Sequence, residues 1–420
     1  MKVLIVGGGG REHALAWKIA QSPKVEKLYC APGNGGIASL AQCVPIKAID
    51  TEGITAFAKS EGIDLVMVAP DDPLAAGMVD ALEKAGVRAF GPTKNAAFIE
   101  SSKAFSKELM KKYGLPTAAY EVFEDMDAAI TYLSDVRYPV VIKADGLALG
   151  KGVIIAQEYA EAVRAVQDMM ADKVFGSAGD KIIIEEFLIG PEVSILAFTD
   201  GKTVVPMVSS QDHKRALDND RGLNTGGMGT FSPSRLYTGE LHAFCMSNIY
   251  IPTIEAMNSE GRKFKGVIYF GLILTAEGPK VLEYNARFGD PETQVVLPRL
   301  KTDIVEIFEA IIDERLDSVK IEWEDNASVC VILASGGYPG KYRTGIEITG
   351  LAQAEQDPSV VVFHAGTKLE DGKYYTAGGR VLGVTAIADT MDNARERAYA
   401  AVEKISFDGV HFRRDIGIKK

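Results

Sequence analysis

The run Met1-Lys2-Val3-Leu4-Ile5-Val6-Gly7-Gly8-Gly9-Gly10-Arg11-Glu12-His13 narrows the fold more than any other stretch of the chain. Val3 to Val6 reads as a buried strand, the glycines as a tight turn, and Arg11 to Ala20 as a helix. Such a turn sets a helix N-terminus at the carboxyl end of a strand, where anions are held. The alternation repeats. Ile63 to Val68 reads as a strand, Leu74 to Ala85 as a helix, and Val87 to Phe90 as a strand closing on Gly91-Pro92. Ala69-Pro70-Asp71-Asp72-Pro73 then falls at a strand's carboxyl end, the edge where open α/β sheets bind ligands. Residues 1–101 are expected to form one doubly wound parallel unit. The dinucleotide fingerprint is not met: counted from Gly7 the third glycine falls on Glu12, and from Gly8 on His13. A nicotinamide cofactor therefore ranks below a phosphate-bearing substrate or plain α/β packing. His13, taken alone, suits a packing or capping role inside the helix start.

The chain has 420 residues, room for two to four domains, and 47% of it is hydrophobic. A net charge of −11 argues against a general nucleic-acid binder. An anionic substrate would need a local basic pocket. Cys30, Cys43, Cys245 and Cys330 are far apart without metal-binding spacing, so reduced thiols in a cytoplasmic protein are expected. The N-terminus reads as a strand rather than a signal peptide, and no apolar run is long enough to span a membrane.

Ser102 to Tyr113 reads as a helix carrying Lys103, Lys107, Lys111 and Lys112, most of them expected on a solvated face. Tyr138 to Lys143 is a strand delivering Lys143 at its end. Asp145-Gly146-Leu147-Ala148-Leu149-Gly150-Lys151-Gly152 then joins it to a second strand. The spacing fails the Walker A pattern. A glycine-rich hairpin folding over phosphates and a plain turn both remain open readings. Glu158 to Met170 reads as a helix, Lys181 to Leu188 as a buried strand, and Glu192 to Phe198 with Thr203 to Val208 as a hairpin. Together these place a small α+β lobe at about residues 120–188. Residues 209–235 have no regular pattern, and a loop that long is more often functional than idle. A helix follows from about Gly239 to Met257, a hairpin from Lys265 to Tyr284, and a helix near Thr302 to Asp313. Residues 325–420, with strands at Ala327 to Ala334, Val360 to His364, Lys373 to Ala377 and Arg380 to Ala386 and a helix within Asp389 to Ser406, read as a C-terminal α+β domain.

Within that hairpin, Glu283 and Asn285 are two apart at a strand end, which puts both on one face. A carboxylate beside an amide oxygen suits a hard divalent cation, and Arg287 adds a fork for carboxylate or phosphate. This is equipment for phosphoryl transfer. The competing reading is a solvated strand end with an Asp-Pro turn.

Several motifs together resemble the phosphoribosylamine–glycine ligase family, also called glycinamide ribonucleotide synthetases. They are Arg287-Phe288-Gly289-Asp290-Pro291-Glu292-Thr293-Gln294, Gly8 to Trp17, Ala31-Pro32-Gly33-Asn34, Lys143 to Leu147, Gln211-Asp212-His213-Lys214-Arg215, Asn224-Thr225-Gly226-Gly227-Met228-Gly229, Phe363 to Thr367 and Arg414 to Gly417. The resemblance spans the chain. It implies an ATP-grasp body at residues 102–324 between the N-terminal and C-terminal domains. It also implies ATP-dependent joining of glycine to 5-phosphoribosylamine through glycyl phosphate, with Mg²⁺ or Mn²⁺; a cytoplasmic monomer without nucleic-acid or membrane partners is expected.

By the same resemblance Glu283 and Asn285 would hold the metal, and Lys103 and Lys143 the ATP phosphates. Gly146, Gly150, Lys151 and Gly152 would close over them. Glu185, Glu186, Phe187 and Leu188 would receive adenine, and Glu192 the ribose. Arg287, Lys143, Asp212 and Lys214 would act at the reacting atoms. Gly9, Gly10, Arg11, Glu12, His13, Asn34, Asp71, Asn224, Thr225, Gly226, Gly227 and Arg287 would hold the substrates. Three departures stand out. Gly271 sits where many ATP-grasp enzymes carry a second acidic ligand, Asp71 replaces an expected glutamate, and Ala148-Leu149 replaces a pair of alanines. Another ATP-grasp carboxylate–amine ligase, a nicotinamide-dependent oxidoreductase and a catalytically dead ATP-binding regulator are the competing readings.

Overall fold

The computed structural model describes residues 1–147 and 152–418. Its first layer is an all-parallel sheet in the order Gln42–Cys43, Lys27–Pro32, Lys2–Gly7, Leu65–Val68, Ala89–Phe90. Strand Lys2–Gly7 is central, and the chain leaves it first to one side and then returns on the other. That reversal creates a crevice at the carboxyl ends of Lys2–Gly7 and Leu65–Val68. Gly7 and Asp71 therefore lie at the same edge. The expected helix at Leu74 to Ala85 is two helices, Asp71–Ala76 and Met78–Lys84. Gly77 separates them with φ +93°, a conformation that stops one helix and starts the next.

The lobe is a four-stranded antiparallel sheet in the order Tyr120–Phe123, Ile182–Glu186, Val140–Ala144, Val153–Ala156. It has its own core, in which Ala129, Leu133, Ile142, Ala162 and Ile184 are buried. The body sheet runs Val204–Pro206, Glu192–Thr199, Gly266–Thr275, Gly278–Asn285, all antiparallel.

Residues 209–235 depart from expectation. They form four short strands, Gln211–Asp212, Arg215–Leu217, Arg221–Asn224 and Gly229–Ser232. The first and last join Ala327–Ala334, Arg380–Ala388 and Val360–His364 in one sheet. Gly229–Ser232 pairs with Ala327–Ala334, about a hundred residues away, and Gln211–Asp212 pairs in turn with Gly229–Ser232, so no local hairpin pattern announces these two. The predicted helix at Gly239 to Met257 is interrupted by a wider π-turn at Met246–Tyr250. The N-terminal sheet shares a core with the body and the C-terminal sheet, since Val3, Ile5, Phe288, Val295, Phe308 and Cys330 are buried in one cluster.

Candidate active site

The lobe, body and N-terminal crevice enclose a cavity of about 1010 Å³. Its apolar end is lined by Val141, Ile155, Phe187 and Leu188, and its polar end by Glu283, Asn285, Arg287 and Asp212. Glu283 and Asn285 stand on the last strand of the body sheet, opposite Gly271 and Tyr269. The ladder slips between Gly271 and Leu272, which leaves Leu282 without an opposite residue. Such a bulge re-aims the residues beside it. The Leu282 carbonyl accepts the Lys143 ammonium at 3.3 Å instead. A β-carbon at Gly271 would lie 3.1 Å from Glu283 Cγ, so the glycine gives Glu283 its room.

Burial opposes the charge on Glu283, but Lys214, Lys143, Lys103 and Arg287 outweigh it and hold the carboxyl below its ordinary range. Lys214 Nζ lies 3.8 Å from the Glu283 carboxylate. Lys214 also meets Glu192 at 3.1 Å. Burial disfavours its charge too, yet Glu192, Asp212 and Glu283 raise it well above the usual lysine range. Among the described residues no cluster of three or more His, Cys, Asp or Glu side chains could hold a metal alone. An ionised carboxylate and an amide oxygen fit a hard cation whose remaining ligands are phosphate oxygens and water.

Arg287 donates from Nη2 to Asn285 Oδ1 at 3.3 Å and from Nη1 to the Phe288 carbonyl at 3.2 Å. Its Nη2 also lies 3.0 Å from Glu100. Its Nε is buried without a partner. Lys103 donates to the Gly146 carbonyl at 2.6 Å. Burial lowers its proton affinity, partly offset by Glu283. Asp145 ties the lobe to the body by accepting Ser102 Oγ–H at 3.2 Å and Ala104 N–H at 3.1 Å.

The lobe edge differs from the simplest expectation. Glu185 is 3% exposed, and its carboxylate lies between Lys107 at 2.8 Å and Lys143 at 2.9 Å. Only backbone at this position is left to meet a base. Glu186 accepts Ala119 N–H at 2.9 Å, and Phe187 and Leu188 line the cavity. Gly146 and Gly152 line it too, while the predicted contacts of Gly150 and Lys151 fall outside the described residues.

The expected substrate residues divide. Arg11, Asp71, Asn224, Thr225 and Gly226 line the cavity. Arg11 is largely engaged, donating to Glu12 at 2.6 Å and to the Phe288 carbonyl at 3.1 Å. Glu12 accepts Gly9 N–H at 2.5 Å. Asn34 bonds the Gly8 and His364 carbonyls and accepts Gly36 and Ile37 N–H. His13 Nδ1 accepts the His364 N–H at 2.7 Å. The side chains of Glu12, His13 and Asn34 thus build the turn, with Gly9 and Gly10, and do not reach the cavity. A β-carbon at Gly10 would lie 2.6 Å from Gln294 Nε2, and one at Gly227 would lie 2.5 Å from Pro291 Cδ. These glycines permit close packing against the Asp290–Gln294 segment.

Several residues were not singled out from the sequence. Lys107, expected on a solvated face, is 2% exposed. Glu292 is buried on the cavity wall, where burial and neighbouring Asp212 push its carboxyl up to about 7. Tyr338 and Arg380 reach in from the C-terminal region. Tyr338 accepts Gly226 N–H at 3.1 Å. Arg380 donates to the Gly226 and Asp290 carbonyls at 2.7 and 2.9 Å and pairs with the Asp290 carboxylate at 3.2 Å. Arg380, a cation beside a glycine loop in an acidic chain, was the one signal available; the others are set by tertiary packing.

The family models for the phosphoribosylglycinamide synthetase N domain, ATP-grasp (A) domain and C domain match residues 1–100, 101–293 and 328–419. A phosphoribosylamine–glycine ligase of Caldanaerobacter subterraneus subsp. tengcongensis is 50% identical over 416 residues, 99% of each chain. The crystal structure of a phosphoribosylamine–glycine ligase from Thermotoga maritima superposes with TM-score 0.86 at 32% identity, covering 99% of this chain and 100% of that one. A Campylobacter jejuni biotin carboxylase–β-γ-ATP complex, 14% identical with TM-score 0.76 over 98% of this chain and 92% of that one, shares the fold. The charged cleft between lobe and body, and matches that run nearly end to end, place this chain in the phosphoribosylamine–glycine ligase family of ATP-grasp enzymes.

Proposed function

We propose that this chain joins glycine to 5-phosphoribosylamine, giving glycinamide ribonucleotide, ADP and phosphate, in purine synthesis. The observation that carries this reading is the ionised Glu283, beside Asn285 and Arg287, in a cleft also lined by Lys103 of the body and Lys143 of the lobe. A carboxylate does not acylate an amine at neutral pH. Phosphoryl transfer from ATP to the glycine carboxylate supplies the leaving group. The amine nitrogen of phosphoribosylamine then attacks the acyl carbon, and the carbon–oxygen bond to phosphate breaks.

The chain's part is positioning and charge neutralisation. Lys103 and Lys143 receive the ATP phosphates, with Gly146 and Gly152 on the same cavity wall. The backbone of Glu185 to Leu188 receives adenine, and Glu192 the ribose. Arg287 faces the carboxylate being activated, with Lys214 and Asp212 alongside. Glu292, poised near neutrality, is suited to take the proton the amine sheds. Asp71 and the Asn224–Gly227 loop flank the amine, while Gly9 to His13 and Asn34 shape the turn behind it. Glu283 and Asn285 are the residues that would hold Mg²⁺ or Mn²⁺, which supplies charge neutralisation on phosphate oxygens. The limits of the family models support a division near residues 101 and 324.

The test is ADP release with glycine, with and without fresh phosphoribosylamine. Turnover that needs both is expected. Glycine-dependent turnover without the amine, or turnover on other acids at equal efficiency, would overturn the named reaction.

A further inference from the structure

Lys107, Glu185 and Lys143 form a buried chain of three charges that no part of the proposed reaction uses as such. Lys107 stands on helix Lys103–Lys112 of the body, while Glu185 and Lys143 stand on adjacent antiparallel strands of the lobe. Lys107 Nζ lies 2.8 Å from Glu185 Oε2, and Lys143 Nζ lies 2.9 Å from Glu185 Oε1. Lys107 also donates to Thr117 Oγ1 at 2.8 Å, and Thr117 donates on to the Val281 carbonyl at 2.7 Å. Val281 precedes the bulged Leu282, whose carbonyl takes Lys143. The three charged side chains are each less than one-tenth exposed.

The two ends of the chain differ in character. Lys107 divides its contacts between the Glu185 carboxylate and the Thr117 hydroxyl. Lys143 lies 2.9 Å from Glu185 Oε1, which accepts no hydrogen bond, and its ammonium donates instead to the Leu282 carbonyl at 3.3 Å. A carboxylate that owned only Lys143 would pull that ammonium fully onto itself, since a buried anion without a second cation is strongly destabilised. With Lys107 neutralising one oxygen from the body side, Lys143 keeps capacity for an anion in the cleft. Lys107 also crosses from body to lobe, so the same contact fixes the lobe strand that carries the Glu185–Leu188 edge.

We propose that Lys107 is a positioning residue for nucleotide: acting through Glu185, it keeps Lys143 directed into the cleft. This rests on the reading of Lys143 as a ligand of the ATP phosphates. In the full-length enzyme, Lys107→Met is expected to raise the KM for ATP and the Kd of a non-hydrolysable ATP analogue by about tenfold or more, leaving the KM for glycine within about twofold. In a Glu185→Gln background the same substitution is expected to add less than about twofold. Thr117→Val, which removes the neutral partner and keeps the ion pair, is expected to leave the KM for ATP unchanged. Should Lys107→Met fail to fold, comparing Lys107→Met/Glu185→Gln with Glu185→Gln still measures its effect once the buried anion is gone. Equal effects of Lys107→Met on both KM values, an undiminished effect in the Glu185→Gln background, or Thr117→Val mimicking Lys107→Met would overturn the proposal. Failure of the unmodified enzyme to bind the analogue would instead sink the reading of the cleft itself.

Discussion

The Glu100 carboxylate lies 3.0 Å from the Arg287 guanidinium and also accepts the Ala286 N–H at 2.7 Å. One buried side chain thus fixes both the direction of the arginine and the backbone that presents it. Burial raises the proton affinity of Glu100, and Arg287 opposes that rise. Glu100→Gln keeps the shape and removes the charge. Arg287 would then lose its buried counter-ion, and breaking such a pair costs roughly 3 kcal/mol. The expected result is a lower melting temperature and a fall in kcat of about a hundredfold, because the guanidinium is no longer held in line. Parallel thermal melts and steady-state kinetics check it; full activity would remove Glu100 from the positioning of Arg287.

The metal reading makes a separate demand on Glu283. Its side chain is partly accessible in the cleft, so its removal should spare the fold. Glu283→Ala is expected to lower turnover about a thousandfold or more with an unchanged near-ultraviolet dichroism spectrum. Chelation of divalent cations should abolish turnover of the unmodified enzyme, and Mg²⁺ or Mn²⁺ should restore it. Near-normal turnover of the variant, or indifference to chelator, would count against Glu283 as a ligand.

Much of this site was readable because strand alternation is local. Glu283 and Asn285 fall on one strand face by period two and both line the cavity, which Arg287 also lines from just beyond the strand's end. The glycine turn after Val6 and the lobe strands Val140–Ala144, Val153–Ala156 and Ile182–Glu186 were equally legible from short-range pattern. What escaped depends on partners distant in sequence. The bulge at Leu282 is created by the pairing with Gly271. The strand Gly229–Ser232 exists because Ala327–Ala334 lies beside it, and Gln211–Asp212 pairs in turn on its other edge. Lys107 looks like its solvated neighbours Lys111 and Lys112 until Glu185 and Thr117 are folded over it. Helix periodicity cannot separate a buried cation from an exposed one when its counter-ion comes from another lobe.

Glu292 gives a pH dependence with a definite sign. Its carboxyl is raised from 4.5 to about 7 by burial and by Asp212. The folded state therefore binds this proton more tightly than the unfolded chain. The stabilising effect is complete below about 4.5 and is lost as pH rises through about 7. At about 1.4 kcal/mol per unit, the loss is roughly 3 kcal/mol by pH 8. Glu292→Gln should therefore gain stability relative to the parent between pH 5 and 8. Its kcat should also lose the acidic limb with an apparent midpoint near 7. Denaturant titrations and pH–rate profiles read the two effects independently; a parent-like acidic limb in Glu292→Gln would exclude it as the proton acceptor.

The junction between the first helix and the C-terminal sheet responds in the opposite direction. His13 Nδ1 accepts the backbone N–H of His364, which requires that nitrogen to be unprotonated. Burial, reinforced by His364, lowers His13 from 6.5 to about 3, and burial lowers His364 to about 4. Both rings fold neutral, so their stability is present above about 6.5 and is lost as pH falls toward 3 to 4. For His13 alone the loss between pH 7 and 5 is roughly 2 kcal/mol. His13→Gln offers an acceptor oxygen without a titrating ring. The variant should be less stable than the parent at pH 7, because it gives up the edge contact with Phe363 at 5.7 Å. The gap should narrow by roughly 2 kcal/mol at pH 5. Equilibrium unfolding at the two pH values measures that narrowing, and a constant gap would show that His13 is not among the groups setting the acid response.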